Sequence, residues 1–297
     1  MDALITRLIG EGPIVTDGAW GTMLQAEGLP AGSCPDEWNL SHPVEVHAVA
    51  RRYVDAGSRI ILTNTFGANS FVLEKHGLAD RAAEINRAGA RLSQRAAEGR
   101  ALVFASLGPT GKLVMMGEVG EDSVRRAYEE QAEALAEGGA DGLVIETMSD
   151  LAETRAAIQA ARGTGLPVVA CMSFDSGPAG LHTMMGVSIV QAAESLGQAG
   201  ADVIGANCGN GIDAMPAVCR ALRAATALPI WIKGNAGKPR LEGSRTVYDM
   251  TPEAFAAFVP MLIDAGAAFI GGCCGTDSHF IERVATDCSR ARVRRAG

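Results

Sequence analysis

Aromatic side chains are scarce in this 297-residue chain, at 5% of its composition, and no block of Lys or Arg interrupts a formal net charge of −8. Nucleic acid and anionic membrane surfaces both call for a basic footprint. Neither is expected as a partner, and a small-molecule site is expected instead. No apolar run approaches the ~20 residues that a membrane span needs. The opening segment "MDALITRLIGEGPIV" has an acidic second residue and no apolar stretch of signal-peptide length, so a cytoplasmic protein is expected. No G-x-G-x-x-G follows a first strand, which removes the usual support for dinucleotide binding. No C-x2-4-C knuckle is present either, so the common structural zinc site is not expected. No shift in composition and no Pro- or Ser-rich linker divides the chain, and residues 1–297 read as one domain.

What is present is a repeated alternation. Eight short apolar or β-branched runs, "PIVTDG", "RIILTNT", "ALVFASLGP", "DGLVIET", "PVVACMS", "DVIGANCG", "PIWIKGN" and "AFIGGCCG", are separated by Ala-, Leu-, Glu- and Arg-rich stretches with helical spacing. Eight βα units predict an α/β fold, a single (β/α)8 TIM barrel. The second, fourth, sixth and eighth runs share an internal repeat: "AGSRIILTNT", "GGADGLVIET", "AGADVIGANC" and "AGAAFIGGCC". In each, a Gly suited to a helix C-cap precedes a tight turn and a buried strand. Alternate-strand patterning is what the layered interior of such a barrel imposes. The two longest irregular stretches, "LPAGSCPDEWNLSHP" and "GNAGKPRLEGSRTVYDMTP", fall after the first and seventh runs, where loops would cover the active face.

Seven cysteines, an odd number, without a secretion signal read as thiols, core fillers or metal ligands and not as a disulfide framework. Cys171 and Cys219 sit in core-like contexts. Cys208, Cys273 and Cys274 instead leave the carboxyl ends of the sixth and eighth runs, where a barrel gathers Asp17, Asn64, Thr65, Ser106, Glu146, Ser173, Asn207 and Asn235 at one mouth. Three cysteines match the three protein ligands of a catalytic zinc, whose fourth position stays open. Gly272 and Gly275 would let the backbone bend so that adjacent cysteines reach one metal. From spacing alone, "GGCC" can equally end a strand with small buried residues.

The segments "TDGAWGTMLQ", "TNTFGANS", "GPTGKLVMMGE", "IETMSD", "GANCGNG", "NAGKP" and "GGCCGT" together resemble the homocysteine S-methyltransferase family, which includes the homocysteine-binding domain of cobalamin-dependent methionine synthase and betaine-homocysteine methyltransferase. The resemblance runs in order over nearly the whole chain, and the pairing of "NCG" with a later "GGCCGT" is its specific part. It implies a (β/α)8 barrel with Zn(2+) held by Cys208, Cys273 and Cys274. It also implies that the amino-acid end of homocysteine is held by Asp17, the backbone of Gly18 and Ala19, and Glu146, with Asn235 close to the metal.

The chemistry follows from thiol acidity. A free thiol titrates near ~8.5 and only its thiolate is nucleophilic; metal binding removes the proton outright. For methyl transfer to such a sulfur no general base is needed, so the carboxylates of Asp17 and Glu146 fit charge-assisted binding of the substrate ammonium better. Asp17 has a second reading, as an anchor for backbone N–H groups in an Asp-Gly turn. The implied reaction is methylation of homocysteine to methionine.

For the donor, "GPTGKLVMMGE" and "NAGKP" resemble the cobalamin-dependent branch, which favours a methyl-corrinoid on a separate protein. Lys233 and Lys238 depart from the family pattern on that donor side. Betaine or S-methylmethionine as donor, another small thiol as acceptor, and a non-catalytic zinc- and thiol-binding subunit of a corrinoid assembly are the alternatives.

Overall fold

The computed structural model describes residues 2–242 and 245–296. Met1 and Gly297, the ends of the expected 1–297 domain, and Gly243 and Ser244 of the long loop after the seventh run lie outside the described residues. All eight expected runs form strands: β1 Ile14–Val15, β2 Ile60–Ile61, β3 Leu102–Leu107, β4 Gly142–Met148, β5 Val168–Met172, β6 Val203–Cys208, β7 Ile230–Gly234 and β8 Ala267–Gly272. Each pairs in parallel with its neighbour from β2 through β7, then β7 with β8 and β8 with β1. The eight parallel strands with their surrounding helices make a nearly closed α/β TIM barrel. Across the remaining seam, the Arg59 N–H reaches the Val15 carbonyl at 2.9 Å, and the Leu62 N–H reaches Asp17 Oδ2 at 2.7 Å. A side chain thus helps to close the barrel where the backbone ladder is short.

The even-strand repeat has the cause expected of it. Gly57, Gly139, Gly200 and Gly266, each at the end of the helix before an even strand, take left-handed φ values of 96°, 95°, 101° and 96°. This is the C-cap conformation that glycine reaches without a Cβ penalty.

Inside the barrel, Ile14, Ile60, Phe104, Val144, Val169, Val203, Trp231 and Phe269 pack into one buried cluster, with Trp231 stacked on Phe269 at a centroid distance of 5.1 Å. Cys171 lies in the same cluster and Cys219 in the layer between strands and helices, both buried. The helix Ala3–Gly10, capped by Asp2, brings Ile5 and Leu8 into the interior cluster. The opposite end, where the strands finish, is the one that opens.

The loop after β7 contains something the irregular reading did not anticipate. Arg240–Glu242 and Arg245–Val247 form a short antiparallel pair, and an ion pair links Arg240 to Asp249 at 3.1 Å. After β8, Asp277 accepts from the His279 and Phe280 N–H groups and starts the last helix, Ser278–Ala296.

Candidate active site

A cavity of about 450 Å³ occupies the mouth. Trp20, Leu62, Phe66 and Val72 give it apolar walls, and Cys208, Cys273, Cys274, Glu146, Lys233 and Asp36 supply its reactive or charged groups.

The three cysteines arrive from two strand ends. Cys208 is the last residue of β6 and Cys273 follows β8, and β7 lies between them. The Cys208 Sγ stands 3.1 Å from Cys273 Sγ and 3.8 Å from Cys274 Sγ, and all three sulfurs lie within 4.8 Å of one another. They can offer three sulfur ligands to one metal ion. Of the expected hinges, Gly275 has φ +80°, and a Cβ there would meet the Tyr248 ring at 2.3 Å. Gly272 keeps ordinary φ but lies so close to Thr276 that a Cβ would stand 2.2 Å from its hydroxyl oxygen. The sharpest distortion falls on a residue not expected to bend: Cys208 itself has φ 59°, followed by Gly209 at 67°, a conformation that costs a residue with a Cβ roughly 1–2 kcal/mol.

Mutual hydrogen bonding and burial set the three thiols apart in acidity. Hydrogen bonds from Cys208 and Cys273 hold the Cys274 thiol far below the ordinary range, and the Tyr248 hydroxyl adds to this. Its bonds to Cys273 and Cys274, together with burial, push the Cys208 thiol well up. Cys273 is also raised: the Cys208 hydrogen bond lowers it, but Cys274 and burial outweigh that.

Glu146 stands on a register shift in β4 between Ile145 and Met148, the kind of local irregularity that re-aims a side chain at a strand end. It is 7% exposed and accepts the Ser106 hydroxyl at 2.5 Å. Burial pushes its carboxyl up to about 7, against the pull of Lys233. Its neighbour Thr147 has φ 62°, rare for a β-branched residue. Asn207 holds it there, accepting the Thr147 N–H and donating to the Thr147 hydroxyl, both at 2.7 Å. The same Nδ2 lies 3.8 Å from Cys273 Sγ. Asn207 therefore ties the glutamate-bearing strand end to the thiol cluster. The sequence lists it among the mouth residues, but nothing in its context marks this role.

Asp17 is placed differently from its expected role at the substrate ammonium. Its carboxylate is 0% exposed and does not line the cavity. It accepts from Trp20 Nε1 at 2.9 Å, the Leu62 N–H at 2.7 Å and Lys233 Nζ at 2.5 Å. The anchoring reading of this Asp-Gly turn describes it better, because three donors already surround its two oxygens. Gly18 and Ala19 do line the cavity, yet the Ala19 N–H is donated to the Thr276 carbonyl at 3.2 Å. Asn235 does not line it; its Nδ2 donates to the Gly209 carbonyl at 3.2 Å, and its Oδ1 is buried without a hydrogen-bond partner among the described residues.

Lys233, a departure from the family pattern in the sequence, stands on the cavity wall at 2% exposure. Burial opposes its charge, but Asp17 and Glu146 outweigh burial and raise the ammonium above the ordinary lysine range. Asp36 is a further acidic group of the wall that the sequence does not single out: its carboxyl accepts the Gly67 N–H at 3.0 Å, and burial pushes it up to about 6. The signal available was its position in the long loop after β1.

Comparison with known proteins adds an independent line. A family model described as homocysteine S-methyltransferase matches residues 14–288. The chain is 31% identical over 304 residues to methionine synthase of Mycobacterium tuberculosis, covering 96% of this chain and 25% of that protein. It is 30% identical over 309 residues to methionine synthase of Mycobacterium leprae, covering 97% and 25%. The chain thus spans about a quarter of the length of these curated relatives. Among solved structures, its fold resembles the metallated form of the homocysteine methyltransferase MmuM from Escherichia coli with a TM-score of 0.80 at 21% identity, covering 96% of this chain and 100% of that one. The apo form of the same protein superposes with a TM-score of 0.71 at 21% identity, covering 95% and 96%.

Proposed function

The chain belongs to the homocysteine S-methyltransferase family, and from that premise we propose that residues 1–297 act as one homocysteine-binding barrel that methylates the substrate thiol to give methionine. The observation that carries this reading is the meeting of three cysteine sulfurs with the Glu146 carboxyl on the wall of a single cavity.

The donor set fits Zn(2+). A tetrahedral zinc with sulfur at ~2.3 Å sets its ligands about 3.8 Å apart, and the cluster already spans 3.1 and 3.8 Å from Cys208. Cys208, Cys273 and Cys274 would hold the ion, and the unpartnered Asn235 Oδ1 is a further polar atom in the segment beside them, whose next residue, Ala236, donates its N–H to the Cys274 carbonyl at 2.9 Å. When bound, zinc supplies a place for the substrate sulfur and keeps it deprotonated at neutral pH.

The chain's own residues bind and orient. Glu146, fixed by Ser106 and by the Asn207 clamp on Thr147, takes the substrate ammonium through a charge-assisted hydrogen bond. Trp20, Leu62, Phe66 and Val72 exclude water from the reacting atoms. The sulfur lone pair forms the new S–CH3 bond while the bond from methyl to donor breaks, its electron pair leaving with the donor. The thiol proton is released when the thiol binds, before transfer.

The proposed donor is a methyl-corrinoid on a separate protein or a small onium compound, in which case a cobalt(I) corrinoid, an amine or a thioether leaves. The likeness to methionine synthases supports the first of these. Methionine formation from homocysteine should be assayed with methylcobalamin, S-methylmethionine and betaine in parallel, beside the zinc content of wild-type protein and Cys273→Ser. The expected result is one zinc per chain and transfer from at least one donor, both lost in the variant. Stoichiometric zinc in Cys273→Ser with transfer intact would refute the ligand set.

A further inference from the structure

A lysine buried to 2% exposure needs a reason, since such groups are rarely buried unless paired. Pairing Lys233 with Asp17 at 2.5 Å supplies one, but replacing a buried ion pair with apolar side chains is often neutral or stabilising. Stability alone is therefore weak grounds for this pair. Position is more informative. The register of β7 sets Lys233 level with Asn207 of β6 on one side and Gly271 of β8 on the other, one residue below the layer of Cys208 and Gly272. Of the two partners, Lys233 reaches the cavity wall and Asp17 does not.

The charges of that wall then set the problem. Three cysteine thiols, Glu146 and Asp36 are all acidic, and among the described residues Lys233 is the cation lining the cavity. An amino-acid substrate brings a carboxylate as well as an ammonium. Beside thiolates and Glu146, its carboxylate needs donors that offset the repulsion, and a cation supplies both donor and charge. An ammonium has three N–H donors, and among the described residues Asp17 Oδ1 is the side-chain acceptor for Lys233.

Resting on the homocysteine reading above, we propose that Lys233 is a specificity-determining residue that binds the carboxylate of the amino-acid substrate, while Glu146 binds its ammonium. Asp17 is then a positioning residue. Held by Trp20 and the Leu62 N–H across the barrel seam, it fixes where the lysine ammonium sits. Lys233 and Glu146 thus offer one cation and one anion to the two charges of a zwitterion.

The test compares three acceptors on zinc-loaded protein by calorimetric titration and by kcat and KM: homocysteine, 3-aminopropane-1-thiol, which lacks the carboxylate, and 4-sulfanylbutanoate, which lacks the ammonium. Wild type should bind homocysteine roughly 10- to 100-fold more tightly than the aminothiol, the range of one charge-assisted hydrogen bond. Lys233→Met should lose that preference, with the aminothiol nearly unaffected and the loss falling on KM and not on kcat. Because Lys233→Met leaves Asp17 unpaired, the double variant Asp17→Asn/Lys233→Met, neutral at both positions, provides a folded comparison checked by thermal melting. Equal weakening of homocysteine and aminothiol in both variants, or no preference for the carboxylate in wild type, would overturn the proposal. A wild-type protein that binds none of the three thiols would instead sink the acceptor assignment itself.

Discussion

Glu146 offers a measurable pH signature. Its carboxyl is pushed up to about 7 by burial, and an ammonium ligand needs it ionised. With a midpoint of 7, the ionised fraction is roughly 90% at pH 8 and roughly 10% at pH 6. Affinity for the ammonium end should therefore fall about tenfold between those two values, and binding at pH 7 should release about half a proton. The product methionine is the right probe, because its thioether does not titrate and its ammonium stays charged over this window.

Calorimetry at pH 6, 7 and 8 in buffers of different ionisation enthalpy would read both the affinity and the proton. Zinc content would be measured at each pH, so that metal loss is not mistaken for the effect. Glu146→Gln should flatten the dependence and bind methionine more weakly at pH 8. The 4-(methylthio)butanoate analogue, with no ammonium, should show no loss on acidification. A wild-type affinity constant within twofold from pH 6 to 8, or an unchanged slope in Glu146→Gln, would refute the assignment of Glu146 as the ammonium's partner.

The same burial has a cost to folding. Folded Glu146 keeps its proton to about pH 7, whereas its ordinary value is 4.5. The fold is penalised increasingly from pH 4.5 to 7 and by about 3 kcal/mol above that. Glu146→Gln should then raise the melting temperature at pH 8, with the difference closing by pH 5; an equal gain at both would point to another cause. Asn207→Ala, which releases Thr147 and the contact to Cys273, should weaken zinc binding or activity roughly 10- to 100-fold in a chelator competition and rate assay. Wild-type values in both would remove Asn207 from the site. Gly275→Ala puts a Cβ 2.3 Å from the Tyr248 ring at φ +80°, and should lower the melting temperature and the zinc affinity together. Unchanged melting would mean the loop shifts freely.

Much of the barrel could be read from the chain because its causes are local. A Gly such as Gly57 or Gly266 caps a helix by its own φ, and an apolar run such as "AFIGG" declares a strand within six residues. Strand ends follow from that, and with them the set of residues at the mouth, including Cys208, Cys273 and Cys274. The hairpin after β7 escaped because a short antiparallel pair in a polar loop has no hydrophobic period to announce it.

What tertiary structure alone decided is which mouth residues face the cavity and with whom they pair. Asp17 and Lys233 are 216 positions apart, and only barrel closure sets one behind the other. The lysine thereby takes the wall, and the aspartate becomes its support. Likewise, the grip of Asn207 on Thr147 depends on strands β4 and β6 being two apart in the sheet, a distance no local pattern encodes. The physical reason is the same in each case. Strand identity comes from the chain's own periodicity, whereas side-chain pairing across a closed sheet depends on register and curvature summed over all eight strands.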